Sequence, residues 1–182
     1  MTNHPQQGFS LIEVLVTIVI LAIGLLGLAG LQTHALTSQM ESYQRSQALE
    51  LVQDMASRIN DNRIDAASYV TATPLGTGNT VCTATGAGVA GDQCDWNNAL
   101  LGAAETDGSA NPVGAMIGAR GCVYQLTPAA SGVPGQYLVA VAWQGLNPTA
   151  ANPAVNCGQG SYGSNDALRR VITLPLTIGI LQ

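Results

Sequence analysis

The sequence predicts an α+β fold, a long N-terminal helix packed on a small antiparallel β-sheet head that carries disulfides. Three observations point there. An eighteen-residue apolar run, Val14 to Leu31, passes without a proline into an amphipathic stretch that reaches Arg63. Strand-like segments appear only in the last third of the 182 residues, and the four cysteines (Cys82, Cys94, Cys122 and Cys157) all lie beyond the long N-terminal helix.

The apolar run reads VLVTIVILAIGLLGLAGL, with no charge and one hydroxyl, at Thr17. As a helix rising about 1.5 Å per residue it spans roughly 27 Å, near the hydrocarbon thickness of a bilayer. A buried core helix of a soluble protein would carry a polar stripe, and none is present. Beyond it, Leu36, Met40, Tyr43, Ala48, Leu51, Val52, Met55 and Ile59 recur mainly at steps of three and four, an amphipathic signature. The opposite face is assigned to Gln39, Glu41, Gln44, Arg45, Gln53, Asp54, Ser57 and Arg58, with Asp54 and Arg58 an i,i+4 pair worth a few tenths of a kcal/mol. One helix of about 50 residues follows, apolar over 9–31 and covering a globular head with one face over 32–63. Gly24, Gly27 and Gly30 fall at three-residue spacing within it. They suit either partial unwinding or close approach of a neighbouring helix, and glycine is also simply common in spanning helices.

The head is expected over 64–182. Its middle, Ala66 to Ala119, is rich in Ala, Gly, Thr and Asn. Asp92–Leu101 predicts a short helix with Trp96, Leu100 and Leu101 facing the core. Asp92, Asp95 and Asp107 match no EF-hand spacing, so turn and cap roles are assigned to them and no metal is expected. Cys122–Thr127 and Gln136–Trp143, separated by PAASGVPG, predict an antiparallel hairpin. Gly145–Asp166 is an irregular connection long enough to suggest a binding loop. Arg169–Ile180 gives a last strand, and Pro175 places it at an edge or a bend.

Composition narrows the function. Charged residues are 9% of the chain, aromatics 4%, the net charge is −5, and the six cations are all arginine. Two histidines, His4 and His34, leave little from which to build a hydrolytic triad or a histidine-rich metal site. No enzyme activity, cofactor or nucleic-acid partner is expected. No CxxC occurs, so zinc is not expected either.

The N-terminus is unlike an ordinary secretory signal. MTNHPQQ has no Lys or Arg, the apolar stretch is too long, and no A-x-A site follows. In its place stands Gly8-Phe9-Ser10-Leu11-Ile12-Glu13-Val14, with a lone carboxylate just inside the spanning segment, where such groups are costly and usually functional. This resembles the class III signal of type IV pilins and type II secretion pseudopilins, whose hallmark is GF[ST]L[IL]E. The resemblance covers about the first thirty residues. It implies a leader, residues 1–8, removed after Gly8 by a prepilin peptidase, N-methylation of Phe9, and an assembly role for Glu13 opposite a neighbouring subunit's amino terminus. Family leaders usually carry Lys or Arg, whereas this one offers the initiator amine and His4, so the positive-inside rule specifies its orientation only weakly.

A shorter resemblance is to PilV-type minor pilins. It rests on Ala48–Asn60 (ALELVQDMASRIN), the cluster around Trp96, the strand ending VAVAWQG, and Cys157 followed by Arg169-Arg170-Val171. It implies a low-abundance subunit in the inner membrane with a periplasmic head, later at the pilus tip. Its partners would be other minor pilins, the major pilin, the inner-membrane assembly platform and a tip adhesin, and its roles assembly, twitching motility and adhesion. A translocated head would be oxidised, giving two disulfides. With Thr127 opposite Gln136, Cys122 lies near the end of the second strand, which favours Cys122–Cys157 and leaves Cys82–Cys94. Two alternatives share the N-terminal motif. One is a minor pseudopilin of type II secretion; the other is a DNA-uptake pilin, which would need a basic patch from Arg120, Arg169 and Arg170.

Overall fold

The structure is a computed structural model that describes residues 8, 10–78, 81–84, 86–104, 106–109, 112, 114, 116–150 and 152–179. Phe9 and Ile180 thus lie outside the described residues, as does the leader but for Gly8. Contacts divide the chain into two compact units, residues 1–40 and 41–182.

Helix α1 runs Leu11–Asp61, 51 residues, unbroken through Gly24, Gly27 and Gly30. An added methyl at any of those three glycines would meet nothing within 4 Å. In the second unit the buried residues of α1 are Gln44, Ala48, Val52, Met55, Ala56 and Ile59. Two corrections follow. Gln44, expected on the polar face, is 3% exposed, because it stands on the same i+4 line as Ala48 and Val52. Leu36, Met40 and Tyr43, expected on the buried stripe, are exposed. Tyr43 is rotated one residue off that line, and the other two precede the second unit.

A 3₁₀ helix, Arg63–Tyr69, buries Ala66 and Tyr69. Helix α2 runs Val89–Leu101 and closes on Gly102, whose left-handed backbone (φ 72°) lets its N–H reach Ala99 O. A side chain there would be strained. Trp96 and Leu100 are buried, whereas Leu101 is only half-buried, one position past the core-facing line.

Strands β1 (Ile117–Thr127), β2 (Gly135–Gln144) and β3 (Arg169–Ile178) form one antiparallel sheet in the order β1-β2-β3. Thr127 pairs with Gln136. β1 starts five residues before the predicted Cys122, since Ile117-Gly-Ala-Arg-Gly has no alternating pattern and pairs only because β2 lies beside it. β3 is an edge strand, with Pro175 opposite Leu138. The other edge, β1, is covered by Thr71 and Leu75: Leu75 N–H donates to Gly121 O at 2.8 Å, and Gly121 N–H returns to Leu75 O at 3.0 Å.

β2 is buried on both faces, which explains its nearly continuous apolar run. Tyr137, Val139, Val141 and Trp143 join Val52, Met55, Ile59, Tyr69, Trp96 and Val123 in the larger core. Ala140 and Ala142 face a smaller core of Cys122, Val155, Cys157 and Tyr162, supplied largely by the connection between β2 and β3.

Candidate functional site

The first candidate lies at the start of α1. Ser10 O accepts the N–H of Glu13 at 3.0 Å and of Val14 at 3.3 Å, so Ser10 opens the helix. Gly8 and Glu13 are exposed, and Glu13 sits in the first turn, where the helix dipole favours a carboxylate. Ser10-x-x-Glu13 has the spacing of a capping box, a signal our sequence reading missed. From there α1 is long and apolar enough to cross a membrane, and 0% of its most apolar eighteen-residue window is buried within the chain. Even its hydroxyl is spent internally, Thr17 Oγ1–H donating to Val14 O at 2.8 Å. This surface offers a partner nothing but hydrocarbon.

In the head, disulfides join Cys82 to Cys94 and Cys122 to Cys157. The Asn98 side chain backs the first, accepting Cys82 N–H at 2.9 Å and donating to Cys82 O at 3.0 Å. The second ties β1 to the connection over the sheet. That connection is also held from below by Arg169, 4% exposed, which donates to the carbonyls of Asn152 (2.6 Å), Val155 (2.6 Å) and Cys157 (3.2 Å). Its Nε stands 3.5 Å from Asp166 Oδ2, an ion pair without a hydrogen bond. Asp166 accepts the N–H of Gly160 at 2.7 Å and of Tyr162 at 3.3 Å. The Gly160 N–H foremost, then the Tyr162 N–H and the Arg169 charge, hold its carboxyl below the usual range against the opposing cost of burial. Tyr162 donates its hydroxyl to Gly118 O at 2.7 Å, and burial pushes its pKa up.

Two family models match in succession. The first, the prokaryotic N-terminal methylation motif, matches residues 3–29, and the second, Type IV pilin Tt1218, matches residues 30–98. The two together run across the leader, α1 and most of α2. The chain belongs to the type IV pilins. No curated protein and no solved structure matches it. Pilins are in general structural subunits that assemble with other pilins after processing by the prepilin peptidase, and the apolar stem of this one fits membrane anchoring before assembly.

The arginines weighed for a basic patch are engaged inside this pilin. Arg120 donates to Gly76 O at 3.2 Å, and Arg169 is in the connection just described. Arg170 donates to Thr149 Oγ1 (2.6 Å), Asn147 O (2.7 Å) and Glu41 Oε1 (3.3 Å). The same Glu41 oxygen accepts the N–H groups of Leu146 and Asn147 at 3.2 Å each. The aspartates also differ from expectation. Arg58 binds Asp54 and Asp92 at 3.0 Å and Asp95 at 3.4 Å, and Asp92 also accepts the Tyr69 hydroxyl, so two of the three join α2 to α1. Asp107 does serve a turn, accepting Ser109 N–H at 2.8 Å. Among the described residues no group of three metal-ligating side chains converges.

Proposed function

We propose that this pilin is a minor subunit of a type IV pilus, anchored in the inner membrane with its head in the periplasm and then built into the tip or priming complex. The observation that carries the reading is the unburied apolar stem standing directly behind Gly8 and the exposed Glu13. Residues 1–8 are the leader, cleavage after Gly8 exposes Phe9 for N-methylation, 9–31 is the membrane and filament-core half of the stem, 32–63 its amphipathic half, and 64–182 the head. The PilV-type segments around Ala48–Asn60 and Trp96 support a minor rather than a major subunit, with other minor pilins, the major pilin, the assembly platform and a tip adhesin as partners in motility and adhesion.

Glu13 supplies the selective step. An ammonium and a carboxylate attract strongly where the dielectric is low, so a neighbour's terminal amine fixes register even when the net energy is modest. Glu13→Gln keeps the shape and removes the charge. The variant is expected to be cleaved and folded yet depleted in sheared pili relative to membranes. An unchanged ratio refutes the assembly role, and a mature mass that does not begin at Phe9 refutes the processing. Full piliation after deletion of the gene refutes a priming role.

A further inference from the structure

Each disulfide joins a cysteine set in regular structure to one in an irregular segment. Cys94 stands on α2, and Cys122 stands on β1 opposite Ala140 of β2. Cys82 lies before α2, and Cys157 lies in the connection between β2 and β3. In both cases a polar side chain from regular structure holds the backbone of the irregular cysteine. Asn98, one turn after Cys94 on α2, takes both main-chain groups of Cys82, its N–H at 2.9 Å and its carbonyl oxygen at 3.0 Å. Arg169, the first residue of β3, is placed by its pairing with Gln144. It donates to the carbonyl of Cys157 at 3.2 Å and to those of Asn152 and Val155 at 2.6 Å each.

Neither set of bonds involves sulfur, so both are open to a chain whose thiols are still reduced. Chain entropy does not supply the choice of partner. Four cysteines can pair in more than one way. Cys94 is nearer to Cys122 in sequence than Cys157 is, so loop closure slightly favours a bond that the fold lacks.

We propose that Asn98 and Arg169 sort the four thiols during oxidation, Asn98 delivering Cys82 to Cys94 and Arg169 delivering Cys157 to Cys122. Both are positioning residues, since neither reacts. The chemistry is exchange with a small disulfide oxidant such as oxidised glutathione. One cysteine thiolate breaks the oxidant's S–S bond, forming a mixed disulfide and releasing one thiol. The partner cysteine's thiolate then displaces the second thiol, so two cysteines are oxidised and one oxidant molecule is reduced. A cysteine held beside its partner wins that second step over a distant one, because its effective concentration is higher. Each guide serves one bond, α2 carrying the first and the sheet the second. The sorting is independent of what the stem does in a membrane or filament.

The test reoxidises the reduced, detergent-solubilised full-length chain in a glutathione buffer. Samples are quenched with iodoacetamide at intervals, and each bond is counted by peptide mapping. Arg169→Met should slow closure of Cys122–Cys157 and leave the rate of Cys82–Cys94 unchanged, and Asn98→Ala should do the reverse. The expected slowing is about fivefold or more, the scale of one or two lost hydrogen bonds. Arg169→Lys keeps a cation that reaches one carbonyl and should recover part of the rate. Met55→Ala opens a cavity in the larger core, away from the cysteines, and controls for stability alone. It should slow neither bond selectively. Slowing of both bonds alike by Asn98→Ala or Arg169→Lys, no slowing by either, or selective slowing by Met55→Ala overturns the inference.

Discussion

The indole N–H of Trp96 donates to the backbone oxygen of Leu51 at 2.9 Å, and its ring is fully buried. This bond fastens α2 to α1 through the stem's main chain. Trp96→Phe keeps much of the ring and loses the donor, so it should cost about 1–3 kcal/mol, against about 3–5 kcal/mol for Trp96→Ala. Urea unfolding of the detergent-solubilised chain, followed by circular dichroism, checks both. A Trp96→Phe variant as stable as the unaltered chain would show that the bond is immaterial.

Gly121 lies where β1 passes under that ring. A methyl there would overlap the end of the Trp96 indole and stand 2.6 Å from Leu100 Cδ1. Gly121→Ala should therefore destabilise by about 1–3 kcal/mol through overpacking. The same urea titration measures it, and a neutral result would mean that α2 shifts freely.

The two disulfides should differ in worth. Cys82–Cys94 spans 12 residues and Cys122–Cys157 spans 35, so loop-closure entropy favours the second by about 1 kcal/mol on typical values of 2–4 each. Cys157 is also fully buried. Paired replacement of Cys122 and Cys157 by Ala should lower the unfolding midpoint more than replacement of Cys82 and Cys94. Non-reducing peptide mapping of the unaltered chain should return these two links and no free thiol.

Acid should loosen the connection over the sheet. The Asp166 carboxyl is lowered from an ordinary 3.8, so its stabilisation is complete above that value and is lost as pH falls through the lower folded-state value. Asp166→Asn retains an acceptor and the left-handed backbone (φ 56°), but not the charge. Melting temperatures of the two proteins should differ at neutral pH, draw together as pH falls below the ordinary 3.8 and meet only beneath the lower folded-state value. A gap independent of pH would assign the effect to packing alone.

Local pattern made the large elements legible. Val14–Leu31 and the stripe from Ala48 to Ile59 gave the stem, and the alternation around Cys122 and Gln136 gave the hairpin with its register. Missed features depend on distant partners. Ile117–Gly121 is strand only because β2 and Leu75 flank it. Gln44 is buried by tertiary placement, against its polarity. At the candidate site, Gly8 and Glu13 stood out as a contiguous motif, whereas the Glu41–Arg170 pair joins residues 129 apart in sequence, which no local window can see. The double arginine after an irregular loop was its only trace.

β2 needs two covers, and one of them is a connection pinned by the Cys122–Cys157 bond and a buried guanidinium. Without that bond the lid over Ala140, Ala142 and Tyr162 rests on the hydrogen bonds of Arg169 and Asp166, whereas the stem helix closes the other face chiefly through apolar packing.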